Sequence, residues 1–213
     1  MPDLDFTVLG ADTVPYAVTP TIAFHLRVKT APGQLVKGIA LECQVRIDAQ
    51  LRRYADDEKA ALYDLFGDPP RWGQTLKSLL WTMANVNVPP FTDEVVVDLL
   101  VPCTYDFNII AAKYFHGVRE GIVPLDLLFS GTVFYDHEDG GLQIQRISWT
   151  KEATFDFPVQ TWKDLMQMYY PNTAWLALRQ DIYDRLNDFK SRRGLPTFEA
   201  ALEGLLQEQE ARA

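Results

Sequence analysis

The sequence predicts an α+β fold: an antiparallel, sandwich-like β-sheet with inserted short helices and a C-terminal region of about three helices. Three observations lead there. Apolar residues alternate with polar ones at period two through most of residues 1–157. Turn-forming Pro, Gly and Asp clusters separate these runs. Beyond Pro158 the apolar period changes to 3.6, and strands followed by helices indicate α+β rather than alternating βαβ units.

Leu4, Phe6 and Val8 alternate with Asp3, Asp5 and Thr7, giving a first half-buried strand. Ile22, Phe24, Leu26 and Val28 form the apolar side of a second. After a turn at Pro32-Gly33, Ile39, Leu41, Cys43, Val45 and Ile47 form that of a third, and the last two are read as an antiparallel hairpin. A short helix starts at Asp56 or Asp57 and stops at Gly67 and Pro69-Pro70. Strands follow around Leu79, Trp81 and Met83 and over 95–101, then a helix capped by Asp106 and ending near Gly117. Residues 124–135 and 142–149 read as a hairpin about the turn 136–141, with Phe155 and Phe157 on a short edge strand. Trp162, Leu165, Met166 and Tyr169 mark one helix. A second spans about 174–192 and stops at Gly194, and Thr197 caps a third carrying Phe198, Ala201, Leu202 and Leu205. We read 1–213 as one domain, β-rich over 1–157 with a helical appendage over 158–213.

A chain of 213 residues, 47% apolar and 12% aromatic, is long enough to bury roughly 70% of its unfolded surface. Net charge is −9, from 29 acidic and 20 basic residues, which disfavours binding to a phosphate backbone. Lys190, Arg192 and Arg193 cluster at a helix end, where cations offset the macrodipole. No apolar run approaches the roughly 20 residues of a membrane-spanning helix, and the acidic start lacks the features of a secretory signal. Cys43 and Cys103 lie sixty positions apart, without zinc or redox spacing, so a reducing cytoplasm is expected.

Motifs for nucleotide binding, serine hydrolysis and zinc proteolysis are absent from the sequence. His25, His116 and His137 are scattered over a strand, a helix end and a turn. Asp56-Asp57 and Glu138-Asp139 read as cap and turn residues. No residues are assigned to catalysis, a metal or a cofactor. Two segments have the composition of binding surfaces. The loop Gly67-Asp68-Pro69-Pro70-Arg71-Trp72-Gly73 presents Arg71 and Trp72, residue types enriched at interface hot spots; the other reading is that Trp72 covers the edge of the core. Trp162, Met166, Met168, Tyr169, Tyr170 and Trp175 form either an adaptable apolar surface or part of the core. The candidate partner-binding set is Arg71, Trp72, Trp162, Tyr169, Tyr170 and Trp175.

The stretches LFGDPPRWGQTLKSLLW, VPCTYDFNIIAAKYFHGV, PLDLLFSGTVFY and YYPNTAWLALRQDIYDRLNDFKSRRGLPTFEAALEGLL together resemble an uncharacterised actinobacterial family known only as a domain of unknown function. Its members are often encoded beside [NiFe]-hydrogenase structural and maturation genes, which implies an accessory or assembly role and brings no catalytic residues. The order of four strands, helix and extended segment, with HGVREGIVPLDLL as its best stretch, is also similar to the export chaperone SecB. The extra hairpin and the C-terminal helices depart from that chaperone. The expectation is a non-catalytic, chaperone-like protein that binds another polypeptide, with a hydrogenase subunit or maturation factor as the implied partner. The alternatives are a small-ligand or enzymatic pocket between sheet and helices, with Tyr105, His116 and Cys103 as first suspects, and a structural subunit of a larger complex.

Overall fold

A computed structural model describes residues 2–104, 109–136, 141–173 and 175–211. The chain divides into two compact units, Met1–Trp175 and Leu176–Ala213. The first contains β1 (Asp5–Thr13), β2 (Thr21–Lys29), β3 (Leu35–Ile47), α1 (Asp56–Ala61), α2 (Tyr63–Phe66), α3 (Trp72–Thr75) and β4 (Leu79–Val88). It continues with β5 (Phe91–Thr92), β6 (Glu94–Pro102), α4 (Ile110–Gly117), β7 (Ile122–Asp136), β8 (Leu142–Arg146), β9 (Glu152–Pro158) and α5 (Val159–Tyr169). The second contains α6 (Gln180–Arg192) and α7 (Phe198–Glu210).

The strands form two antiparallel sheets. A three-stranded sheet has the order β1-β2-β6. The larger sheet runs β4-β3-β7-β8, with β9 beside β8 on the same flank of β7 and β5 on the start of β3. Alternation explains which faces meet. Ile22, Phe24, Leu26 and Val28 of β2 are fully buried, as are Cys43, Val45 and Ile47 of β3. Aromatic rings join the two layers: Phe6 stacks on Phe129 at 4.3 Å between centroids, and Phe24 meets Phe157 at 5.8 Å. A helical layer continues this core, where Phe115 of α4 lies 4.6 Å from Trp81 and stacks on Trp162 of α5 at 5.4 Å.

The α+β class, the antiparallel sheets and the helical C-terminal region are as the sequence predicts. The β7–β8 hairpin also forms, pairing Thr132–Asp136 with Leu142–Arg146. The hairpin expected between residues 22–28 and 39–47 does not form. β2 pairs with β1 and β6, whereas β3 pairs with β4, β5 and β7. Each strand has one apolar face, and the turn at Pro32-Gly33 carries the chain from one sheet to the other, so those faces meet across the core instead of lying side by side. The first predicted helix is split into α1 and α2, and its N-cap is Ala55. The expected Asp106 cap and the turn residues 137–140 lie outside the described residues.

In the second unit, Thr197 accepts the Ala200 N–H at 3.1 Å and starts α7 as predicted. Gly194, at φ 63°, follows the end of α6. Tyr183 and Phe198 bring the two helices together with ring centroids 5.5 Å apart, and Arg193 pairs with Glu208 at 2.7 Å.

On the outer face of the three-stranded sheet, His25 of β2 ties its two neighbours together. Its Nδ1 lies 2.7 Å from Asp98 of β6, and its Nε2 lies 3.0 Å from Asp12 of β1. Both nitrogens can donate only in the imidazolium form. The hydrogen bonds to Asp12 and then Asp98 accordingly raise the His25 pKa above 6.5. Because the folded-state pKa is the higher one, the stabilisation is present at acid pH and is lost as pH rises through that value. Imidazole NMR titration is expected to show a raised pKa that falls in Asp12→Asn or Asp98→Asn. His25→Gln should remove this component of the pH dependence of Tm. An unshifted wild-type titration would contradict the arrangement.

Candidate partner-binding surface

The six residues singled out in the sequence separate into distinct environments. Trp72 is 6% exposed, donates its indole N–H to the Gly67 carbonyl at 2.8 Å, and packs edge-on against Tyr54 and Phe66. It closes the core, while Arg71 is exposed on that loop together with Asp68, Pro69 and Pro70. Trp162 is also a core residue, 3% exposed and stacked on Phe115. Both indoles are held in the core, with Trp162 also lining a cleft beside α5.

Tyr169, Tyr170 and Trp175 do come together. The rings of Tyr169 and Tyr170 are 6.4 Å apart, and Trp175 packs edge-on against Tyr170 at 5.1 Å. Trp175 and Met168 remain exposed. Helical spacing explains part of the arrangement: Trp162, Leu165 and Met166 are buried on one face of α5 and Tyr169 continues that stripe half-buried at the helix end, while Met168 turns away from it and Tyr170 follows as the C-cap.

A second segment joins this cluster, and sequence reasoning missed it. The Tyr169 hydroxyl donates to the Ala17 carbonyl at 2.7 Å, anchoring the loop 14–20 between β1 and β2 beside the end of α5. Tyr16 and Val18 flank that anchored residue, with relative exposures of 100% and 102%. Tyr16 adopts φ 60°, an unfavourable backbone region for an aromatic residue. The available signal was the pair Pro15 and Pro20 bracketing an apolar Tyr-Ala-Val stretch between two strands. Proline fixes the loop's backbone at both ends and lowers the entropy lost when it is held in place.

Beside Tyr170 lies an open cleft of about 310 Å³, lined by residues including His116, Lys163, Met166, Gln167 and Thr173. Burial, then the charge of Lys163, lowers the His116 pKa. Burial and nearby Arg119 lower that of Lys163, whose ammonium donates to the Arg119 carbonyl at 2.6 Å. Cys103 is buried with its thiol on the Val101 carbonyl, and burial raises its pKa to about 12, so it stays protonated. Tyr105 lies outside the described residues.

A larger cleft of about 810 Å³ is lined by Arg52, Arg53, Asp57, Glu58, Arg119 and Glu120, among others. Its charges largely engage one another: Arg52 pairs with Glu58 at 2.6 Å and Arg119 with Asp57 at 2.6 Å. Among the described residues, no group of His, Cys, Asp and Glu is arranged to hold a metal ion, and no helix is long and apolar enough to cross a membrane.

No curated protein matches the chain in sequence. Among solved structures it is similar to the CARDB domain of the PF1109 protein from Pyrococcus furiosus, crystallised in complex with di-metal ions, at 17% identity and a TM-score of 0.29. That match covers 74% of this chain and 87% of the other. It is also similar to a Beta-glucosidase from Kluyveromyces marxianus, at 12% identity and a TM-score of 0.27, over 74% of this chain and 15% of that one. At such TM-scores neither the metal ions of the one nor the activity of the other transfers to this protein. The family model of DUF6084, a family of unknown function, matches residues 1–213, and the chain belongs to that family.

Proposed function

We propose that this protein is a non-catalytic accessory or assembly factor that binds another polypeptide through the surface formed by Tyr16, Val18, Met168, Tyr170 and Trp175. The observation that carries this reading is the β1–β2 loop, which displays Tyr16 and Val18 in full contact with solvent while Ala17 between them is held by Tyr169. Displaying apolar side chains to water gives up burial energy, and a partner that covers them recovers it. Tyr and Trp are also the side chains that most often dominate such interfaces. The resemblance to hydrogenase-associated actinobacterial proteins supports a cytoplasmic, chaperone-like role with an immature [NiFe]-hydrogenase subunit or maturation factor as partner. Two unbridged, buried cysteines are compatible with that compartment.

The test is affinity purification from the native host with wild type and with Tyr16→Ala, Val18→Ala and Trp175→Ala. Tyr16 and Val18 face solvent and Trp175 is half-exposed, packed on Tyr170, so the variants should retain near-wild-type melting behaviour. Truncating an aromatic anchor is expected to cost about 2 kcal/mol of binding, or roughly thirtyfold in Kd. Unchanged recovery of every wild-type partner by the triple variant would end the proposal.

A further inference from the structure

Beyond partner binding, we infer that this protein self-associates through β8, an edge strand of its larger sheet, pairing antiparallel with β8 of a second copy. Within the described residues β8 pairs only with β7, so its other edge presents unmatched backbone donors and acceptors. The remaining flanking strands are covered or carry features that oppose edge pairing: β4, the opposite edge of the larger sheet, lies against β6. β1 has a register break between Val8 and Gly10 and packs against α5; β6 carries Glu94 and Asp98; β9 carries Glu152 and Asp156 and ends at Pro158. The segment Leu142-Gln143-Ile144-Gln145-Arg146 has no Pro, no acid and one cation at its end.

A second copy fits because the strand is nearly symmetric about Ile144. Antiparallel pairing centred there places Ile144 opposite its twin, Gln143 opposite Gln145, and Leu142 opposite Arg146. Gln143 is exposed, whereas Gln145 is half-buried with its Oε1 shielded from solvent and unpartnered in the single chain. Ile144 is 65% exposed and lies in register with Phe134, so the pairing makes a continuous apolar row of Phe134, Ile144 and their two counterparts. Leu142 is in register with Asp136, which places Arg146 of the second copy two strands from that acid and on its side of the sheet. Two strand spacings are about 10 Å, within the combined reach of Arg and Asp side chains. The exposed Trp149, just beyond the strand, adds further apolar surface to the same edge. An antiparallel pair of identical strands is an isologous contact, which closes as a dimer instead of propagating.

Sedimentation of the full chain over micromolar to near-millimolar concentrations is expected to show a reversible monomer–dimer equilibrium. Ile144→Lys places two ammonium groups opposite one another at the twofold and should weaken dimerisation at least tenfold. In melts run at concentrations where the wild type is monomeric it should leave Tm unchanged, and it should leave capture of the native partner unchanged, which separates this interface from the aromatic surface. Ile144→Cys should yield a disulfide-linked dimer under copper–phenanthroline oxidation much faster than Thr150→Cys, because only residue 144 meets its twin. The native Cys43 and Cys103 are buried and give a low background. A wild-type chain that stays monomeric, a dimer unaffected by Ile144→Lys, or equal crosslinking at positions 144 and 150 would overturn the inference. So would a monomeric chain that instead captures an unrelated extended peptide at this edge.

Discussion

Gly131→Ala is expected to lower Tm by about 10 °C, making it among the most disruptive single-methyl additions available in this protein. Gly131 lies in β7 at φ 129°, paired with Leu41 in the middle of the larger sheet. A Cβ built there would stand 2.1 Å from the Ala40 carbonyl oxygen and 3.2 Å from Leu41 Cα. Both obstacles are backbone atoms of a central strand, so no side-chain rotation relieves them. The unfavourable φ costs about 1–3 kcal/mol and overpacking about as much again. For a chain of this size each kcal/mol shifts Tm by about 2–4 °C. Gly33, at φ 76° with no atom within 4 Å of its added Cβ, supplies the comparison. Gly33→Ala incurs backbone strain alone and should cost about 1 kcal/mol. Equal denaturant midpoints for the two variants would show that close approach of β3 to β7 is not what makes Gly131 necessary.

The same two strands show what was legible in advance. Period-two alternation identified the inward faces of β2, β3 and β7, because one apolar face per strand follows from the pleat alone. It did not identify neighbours. Ile22 to Val28 and Ile39 to Ile47 satisfy a hairpin and a pair of facing sheets equally well, and the choice depends on β6 and β7, far away in sequence. Helical spacing located the buried side of α5, but residue type did not separate Trp162 in the core from Trp175 on the surface. Tyr16 and Val18 escaped notice because a short apolar stretch between prolines has the same composition as a buried turn. The hydrogen bond that holds Ala17 between them comes from Tyr169, 152 positions away.

Arg52→Met is expected to remove about 3–5 kcal/mol of stability, the range found when one member of a buried ion pair is deleted. The Arg52 and Glu58 side chains are only 9% and 5% exposed and meet at 2.6 Å. Around this pair, otherwise unsatisfied backbone groups find partners. Arg52 donates to the carbonyls of Glu120 and Ile122, each at 2.8 Å, while Glu58 accepts the N–H of Ala55 at 3.1 Å and of Arg119 at 2.7 Å. The Ala55 contact is the glutamate half of a capping box, formed where the N-cap itself has no side-chain acceptor. The pair therefore fastens the start of α1 to the segment entering β7. Gly121 in that segment accepts the Val159 N–H at the start of α5 with a 2.9 Å bond, extending the connection to the helical layer. Removing Arg52 leaves a buried carboxylate without its cation and two carbonyls without donors. Removing Glu58 as well abolishes the stranded charge, so Arg52→Met/Glu58→Gln should lose less than the sum of the two single losses. Lys29→Ala, at an exposed pair with Glu94, should stay within about 0.5 kcal/mol. Urea denaturation measures all four variants, and hydrogen exchange at the Arg119 amide reports the fastening itself. If that amide were as protected in Arg52→Met as in wild type, the ion pair would not be what holds the entry to β7 in place.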